Sequence, residues 1–161
     1  MEIIISKGIG KIGNFKFKCA IGKNGMTTNK SEGDLKTPKG IFSLRYVMYR
    51  NDRIVKPKTC LPIYPIKKNH IWCDNPKSNN YNQICKRKEN NETESLWRKD
   101  SLYNIIVIIG YNDNPIQNNK GSAIFLHLCT NKYTPTKGCI SVTLNDMKRI
   151  LSYNVKKIKI F

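Results

Sequence analysis

The sequence predicts a mainly β fold with one or two short helices, because strand-like runs are frequent and helical patterns are rare. Glycines and prolines separate short runs rich in isoleucine, valine and aromatic residues, which is typical of proteins built from many short strands. The chain has 161 residues, a length that suits one domain with its own core. We therefore expect residues 1–161 to form a single domain.

The predicted strands follow the chain in the order 1–7, 15–21, 41–48, 104–111, 123–129 and 155–161. In 15–21 and 155–161, apolar residues alternate with lysine, the pattern of a strand with one solvated face. The run 104–111 is apolar on both faces, so we place it in the centre of a sheet. Residues 22–25, Gly-Lys-Asn-Gly, predict a tight turn, because Gly and Asn tolerate positive φ.

One helix is predicted at 145–151. Met147, Ile150 and Leu151 form an apolar stripe at helical spacing, and Asn145 is the expected N-cap.

The segment 51–100 is rich in Lys, Asn and Pro and has weak periodicity. We expect it to form an irregular lid or insertion that packs through Trp72, Tyr81 and Trp97. Fifty residues without structure would be long for a connection, so short elements are expected inside it.

The charge balance is strongly basic, with 29 Lys and Arg against 11 Asp and Glu and a net charge of +18. However, 23 Lys, 19 Asn and 22 Ile make up 64 of the 161 residues, and all three have A/T-rich codons. Only six residues are Arg, the residue that recognises phosphate bidentately. We therefore expect no nucleic-acid partner, while attraction to an anionic polymer such as the cell wall stays open.

No apolar run approaches the roughly 18 residues of a spanning helix, so no membrane span is expected.

The six cysteines form no C-x-x-C pair, which argues against a zinc ribbon or a thioredoxin-type motif. The first seven residues lack the basic and apolar regions of a secretion signal. Three explanations stay open: a cytoplasmic protein, a chain that begins after a removed signal, and unconventional export.

His127 and Cys139 are the residues most suited to catalysis. His127 lies inside an apolar run, and Cys139 follows Gly138 twelve residues later. A thiol needs a neighbouring base to act as a nucleophile near neutral pH, and backbone N–H groups at a glycine turn can bind an oxyanion. A core role for His127 is the alternative. A metal site of His127, Cys129 and Cys139 is weakly supported, and we expect neither a metal nor a cofactor.

Several elements occur here in the order of a known family: Glu32-Gly33-Asp34, Thr37-Pro38-x-Gly40-x-Phe42, Gly121-Ser122-Ala123-Ile124-Phe125-Leu126-His127 and Thr136-x-Gly138-Cys139. This set resembles the L,D-transpeptidase catalytic domain of the YkuD type. A compact proteobacterial branch of that family is resembled by the intervening Trp72-Cys73-Asp74, Tyr81-Asn82, Leu96-Trp97-Arg98, Leu102-Tyr103 and Tyr111-Asn112. The resemblance implies a β-sandwich-like fold and peptidoglycan as substrate.

The implied reaction begins with attack of Cys139 on a donor tetrapeptide. This attack releases D-Ala or another leaving group and leaves a thioester that an acceptor diaminopimelate amine resolves. His127 would be the base, oriented by the carbonyl of Leu128 or a neighbour, and the N–H groups of Gly138 and Cys139 would bind the oxyanion. Reaction with carbapenems and location in the cell envelope are also implied, and a cytoplasmic enzyme is the alternative for location.

The chain departs from the family pattern at Lys137, where the wider family usually has a second His, and at Ser141, where Arg or Asn is common. These departures leave the nucleophile and base in place and affect substrate recognition. The expected substrate-binding residues are Trp72, Asp74, Tyr111, Asn112, Thr136 and Lys137. Two other functions stay open: an L,D-carboxypeptidase or amidase with the same Cys and His, and a non-catalytic basic module that binds the cell wall.

Overall fold

The computed structural model describes residues 1–86 and 93–161 of the chain. Its elements, in chain order, are β1 (Glu2–Ser6), β2 (Ile9–Ile12), β3 (Phe15–Lys18), β4 (Met26–Thr27), β5 (Thr37–Pro38), β6 (Gly40–Tyr49), β7 (Ile63–Pro65), β8 (His70–Cys73), β9 (Gln83–Lys86), β10 (Glu94–Ser95), β11 (Ile105–Ile109), β12 (Phe125–Leu128), β13 (Ile140–Val142), α1 (Leu144–Ser152) and β14 (Lys157–Ile160). The mainly β fold that the sequence predicts is confirmed.

The main sheet has nine strands in the order β13-β12-β11-β6-β14-β1-β2-β3, with β7 paired to β6 outside this path. Most neighbours are antiparallel, but β1 runs parallel to β14, β12 to β13 and β7 to β6. The ten-residue strand β6 joins the two halves, because it pairs with β11 on one side and β14 on the other.

The larger core combines β1, β2, β3 and β14 with β11, β12, β13 and α1, so the two halves of the sheet enclose one apolar layer as in a β-sandwich. On β11, Ile105, Val107 and Ile109 face this layer, while Ile106 and Ile108 face a second cluster. The prediction of a central strand that is apolar on both faces is therefore confirmed.

The second cluster is covered by the segment predicted as a lid. Part of this segment forms a small sheet in the order β10-β8-β9, so the expectation of short elements is confirmed for its described residues; residues 87–92 lie outside them. Trp72 and Tyr81 are buried, and the Trp97 ring lies 3.5 Å from the guanidinium carbon of Arg50.

Several predicted boundaries need correction. The predicted strand 123–129 begins only at Phe125, because Ala123 has a φ of +53° that breaks extended structure. Strand β3 ends at Lys18, and Ala20 forms an isolated bridge with Ser141 instead. The predicted turn at 22–25 is confirmed, because the Gly25 N–H donates to the Gly22 carbonyl at 2.9 Å.

Helix α1 begins at Leu144, and its N-cap is Thr143 rather than the expected Asn145. The Thr143 hydroxyl accepts a hydrogen bond from the Asp146 N–H at 3.2 Å, which satisfies an otherwise unpaired donor of the first turn. The predicted stripe of Met147, Ile150 and Leu151 is buried. Within the described ranges no helix is long and apolar enough to cross a membrane.

Candidate active site

Strands β12 and β13 bring His127 and Cys139 to one face of the sheet. The parallel register pairs Leu126 with Ile140 and His127 with Ser141, so Cys139 lies beside Phe125, one position before β13. Leu126 and Ile140 point into the larger core. Because side chains alternate along a strand, Phe125, His127 and Cys139 all project from the opposite face. The two candidate catalytic residues are therefore diagonal neighbours on adjacent strands.

His127 is buried, and one hydrogen bond fixes which of its nitrogens carries the proton. Its Nδ1 lies 2.8 Å from the Leu128 carbonyl oxygen, as the resemblance implied. A carbonyl oxygen only accepts, so Nδ1 donates and Nε2 is left unprotonated in the neutral ring. The Tyr103 ring packs edge-on at 5.2 Å. Burial lowers the pKa of His127 to about 4, against the opposing effect of the Leu128 hydrogen bond.

Cys139 is 8% exposed, and backbone groups of Ala123 and Phe125 hold its sulfur. The thiol donates to the Ala123 carbonyl at 3.1 Å, and the sulfur accepts from the Phe125 N–H at 3.3 Å. Burial raises the pKa of Cys139 to about 12; the charge of Glu94 adds to the increase, while the Phe125 N–H and Lys30 oppose it. At neutral pH the resting site therefore contains a neutral thiol and a neutral imidazole.

Gly138 places the turn before Cys139 in a conformation that suits only glycine. Its φ is +141°, and a Cβ built there would lie 2.9 Å from the Lys36 carbonyl oxygen. The Gly138 N–H donates to Thr136 Oγ1 at 3.1 Å, and the same hydroxyl donates to the Cys139 carbonyl at 2.5 Å. Within the described part of the chain, no hydrogen bond uses the Cys139 N–H. Of the two N–H groups expected to bind an oxyanion, Gly138 is thus engaged and Cys139 is available.

A cavity of about 1150 Å³ opens in front of Cys139 and His127. Three of the expected substrate-binding residues line it: Asp74, Thr136 and Lys137. Lys137 is exposed and Asp74 is partly buried. The cavity also contains charged residues that are not among the expected site residues, including Lys30, Glu94 and Arg98. The walls thus carry both signs of charge close to the thiol.

The other three expected substrate-binding residues lie outside this lining and have structural contacts. Trp72 packs edge-on against Phe125 with ring centres 5.0 Å apart. The Tyr111 hydroxyl donates to the Lys120 carbonyl at 2.6 Å. The Asn112 side chain bridges the carbonyls of Gln117 and Gly121, each at 2.9 Å. These contacts fix the loop that precedes β12.

Asn82 supports the site, although it is not among the expected site residues. Its Oδ1 accepts from the Trp72 indole N–H and from the Ala123 N–H, both at 3.0 Å. Its amide donates to the carbonyls of Tyr111 and Asn112 at 3.0 and 2.7 Å. Asn82 therefore holds the residue whose carbonyl accepts from the Cys139 thiol. A local signal was present, because its φ of +56° is a conformation that Asn adopts more readily than most residues.

Glu32, which belongs to the Glu-Gly-Asp element, anchors the same loop. Its Oε2 accepts from the Ser122 hydroxyl at 2.7 Å and from the Tyr81 hydroxyl. Tyr81 in turn accepts from the Gly121 N–H at 3.0 Å. These contacts join three distant parts of the chain beside the cavity that contains Cys139.

A buried thiol after a glycine turn, a neighbouring histidine with an unprotonated Nε2 and a large polar cavity are the features that acyl transfer by a cysteine nucleophile requires. Within the described ranges, no group of three or more His, Cys, Asp and Glu side chains is arranged to hold a metal ion.

The chain belongs to the YkuD family of L,D-transpeptidase catalytic domains, whose model matches residues 9–159. A comparison with curated proteins finds no significant match. The family membership makes this chain a peptidoglycan-modifying enzyme domain and agrees with the β-sandwich architecture.

Proposed function

We propose that this protein is a cysteine L,D-transpeptidase that cross-links peptidoglycan stem peptides through a thioester on Cys139. The observation that carries the proposal is the placement of Cys139 and His127 on one sheet face, with the histidine Nδ1 tied to the Leu128 carbonyl. This leaves Nε2 as the only ring nitrogen that can take the thiol proton.

The proposed reaction has two halves: acylation of Cys139 by the donor peptide and transfer of the acyl group to an acceptor amine. In the first, His127 Nε2 takes the Cys139 proton while the sulfur bonds to the carbonyl carbon of the donor peptide. The C–N bond then breaks, and the imidazolium returns the proton to the leaving D-Ala amine. In the second half, an acceptor amine attacks the thioester carbonyl carbon and His127 removes its proton. The C–S bond then breaks, and the imidazolium returns the proton to the Cys139 sulfur.

The cavity suits two charged peptides better than one small substrate. Its volume of about 1150 Å³ exceeds the roughly 300–1,000 Å³ of ordinary small-molecule sites. Lys137 contributes positive charge for stem-peptide carboxylates, and Glu94 and Asp74 contribute negative charge for the amine of an acceptor, while Arg98 is paired with Asp100. Charges of both signs suit a site that binds a carboxylate and an amine.

Product analysis by mass spectrometry tests this proposal. Purified disaccharide-tetrapeptide is incubated with the wild-type protein, with Cys139→Ala and with Cys60→Ala, a control that removes an exposed thiol. We expect a dimer that lacks one D-Ala from the wild type and from Cys60→Ala, and none from Cys139→Ala. Fragmentation of the dimer locates the new bond.

Two other results would contradict the transpeptidase proposal. A shortened monomer without dimer, dependent on Cys139, would assign the protein as an L,D-carboxypeptidase or amidase. No product from any variant, together with binding to peptidoglycan that falls steeply with salt, would support a basic binding module.

Carbapenem reactivity and location extend the proposal. We expect a carbapenem to add covalently to Cys139, so intact-mass analysis should show one adduct on the wild type and none on Cys139→Ala.

Because the proposed substrate belongs to the cell wall, we place the enzyme in the cell envelope, with a cytoplasmic role on released wall peptides as the alternative. Fractionation of cells that produce the untagged protein distinguishes the two.

A further inference from the structure

Lys30 is a buried lysine with a defined hydrogen-bonding environment. The residue is 5% exposed, and its ammonium group donates to Asp34 Oδ1 at 2.7 Å and to the Lys36 carbonyl at 2.8 Å. Asp34 is held further by the N–H groups of Ser31 and Lys36, both at 2.9 Å. Buried lysines are rare and need such partners. Asp34 and the Lys36 carbonyl therefore compensate the buried ammonium group of Lys30.

The Lys30 ammonium lies against the turn that carries the nucleophile. A Cβ built on Gly138 would lie 3.3 Å from Lys30 Nζ, and one built on Gly121 would lie 2.8 Å from its Cε. Lys30 also lines the cavity that contains Cys139. Lys30 thus packs between Gly121, which precedes β12 in the chain, and Gly138, which precedes β13.

The resting site shows why a cation is needed at this position. Burial and the charge of Glu94 hold the pKa of Cys139 at about 12, and Lys30 is the cation that opposes them. His127 is neutral at rest and contributes no positive charge before proton transfer. Tyr103, whose own pKa is raised, also faces the thiol as a neutral group. The remaining charged side chains of the cavity, apart from those discussed here, are Glu32, Asp74, Arg98, Lys99, Asp100 and Lys137.

We propose that the buried Lys30 ammonium stabilises the negative charge that develops first on the Cys139 sulfur and then on the acyl oxygen bound at the Gly138 turn. The inference rests on the proposed function, because it assumes that Cys139 becomes acylated. Lys30 keeps its own protons throughout, and His127 performs the proton transfers. With the Gly138 N–H engaged by Thr136, a fixed cation behind the turn takes the place of a second donor.

Thiol alkylation tests this proposal without any peptidoglycan substrate. The rate at which iodoacetamide modifies Cys139 is followed by peptide mass mapping as a function of pH, for the wild type, Lys30→Met, Lys30→Arg and Lys30→Met/Asp34→Asn. Lys39→Met is the matched control, because Lys39 is an exposed lysine of the neighbouring segment. We expect the Cys139 profile of Lys30→Met to move to higher pH and its rate at pH 8 to fall at least fivefold. Lys30→Arg should restore most of the rate.

Lys30→Met/Asp34→Asn removes both charges of the buried ion pair and leaves no unpaired charge behind. It therefore provides a folded test protein if Lys30→Met alone unfolds. An unchanged alkylation profile in a folded Lys30 variant would overturn the proposal.

Acylation by the tetrapeptide separates this proposal from the transpeptidase proposal. We expect Lys30→Met/Asp34→Asn to form the acyl-enzyme at least tenfold more slowly than the wild type. If the wild type forms no acyl-enzyme while the alkylation profiles still depend on Lys30, the transpeptidase proposal fails and the coupling of Lys30 to Cys139 stands. Equal acylation rates in the wild type and in Lys30→Met/Asp34→Asn would reject the role of Lys30 and leave the transpeptidase proposal intact.

Discussion

Gly138→Ala tests how the catalytic turn depends on glycine. The backbone there has a φ of +141°, and the new methyl group would lie 2.9 Å from the Lys36 carbonyl oxygen. A conformation that is almost restricted to glycine costs on the order of 1–3 kcal/mol with another residue. The contact with a backbone oxygen adds to this cost, because Lys36 is held by Lys30 and Asp34 and cannot move freely. We expect a total destabilisation of ~3 kcal/mol.

The matched control is Gly13→Ala, since Gly13 also has a positive φ of +54° but no atom within 4 Å of the position that a Cβ would take. Left-handed backbone alone costs about 1 kcal/mol, so the two variants should differ by ~2 kcal/mol. In urea unfolding, with a slope of roughly 2 kcal/mol/M, this corresponds to midpoints about 1 M apart. Carbapenem acylation of Cys139 should fall at least tenfold in Gly138→Ala and stay at the wild-type rate in Gly13→Ala. Equal midpoints together with an unchanged acylation rate would refute this account of the turn.

Three further predictions concern the surroundings of the two catalytic residues. Asn82→Ala leaves the Ala123 N–H and the Trp72 indole without their partner, so the free energy of unfolding should fall by roughly 3 kcal/mol in urea titrations. Glu94→Gln removes a charge that raises the pKa of Cys139, so iodoacetamide should modify Cys139 several-fold faster at pH 8. Unfolded His127 binds a proton below about pH 6.5 but folded His127 only below about pH 4. The protein should therefore lose about 3 kcal/mol of stability as the pH falls from 6.5 to 4.

Matched variants serve as controls for these predictions. Asn80→Ala changes an exposed asparagine near Asn82, and a loss as large as that of Asn82→Ala would argue against the specific hydrogen bonds. Glu2→Gln removes an exposed carboxylate, and an equal rate increase there would indicate a general charge effect. For the pH prediction, His127→Asn should flatten the stability curve between pH 6.5 and 4, and an unchanged curve would assign the dependence to other groups.

The sequence predicted the parts of the fold whose signals are local. Strand β11 and helix α1 were recognisable because apolar periodicity reports burial directly, as the burial of Val107 and Met147 shows. His127 and Cys139 were identified for a related reason, since a histidine in an apolar run and a cysteine after a turn glycine are unusual in themselves. Their strands then proved to be adjacent and in register.

The support of the site could not be predicted, because it consists of hydrogen bonds between distant segments. Asn82 contacts Ala123 across 41 residues, and Glu32 contacts Ser122 across 90. Single residues of this kind carry no periodicity that reports their partners. Trp72 was expected in the cavity because it is aromatic. Its hydrogen bond to Asn82 could not be foreseen, because the partner lies in another segment.

Strand β14 lies between β6 and β1, although it follows every other described strand in the chain. During synthesis, β1–β3 and β6 therefore leave the ribosome long before the segment that joins them. Both the parallel pairing with β1 and the antiparallel pairing with β6 wait for Lys157–Ile160. Until then, the apolar sides of these strands are without their central neighbour and are exposed to chaperones and to aggregation. The order of elements thus delays completion of the sheet until Lys157–Ile160 has been synthesised.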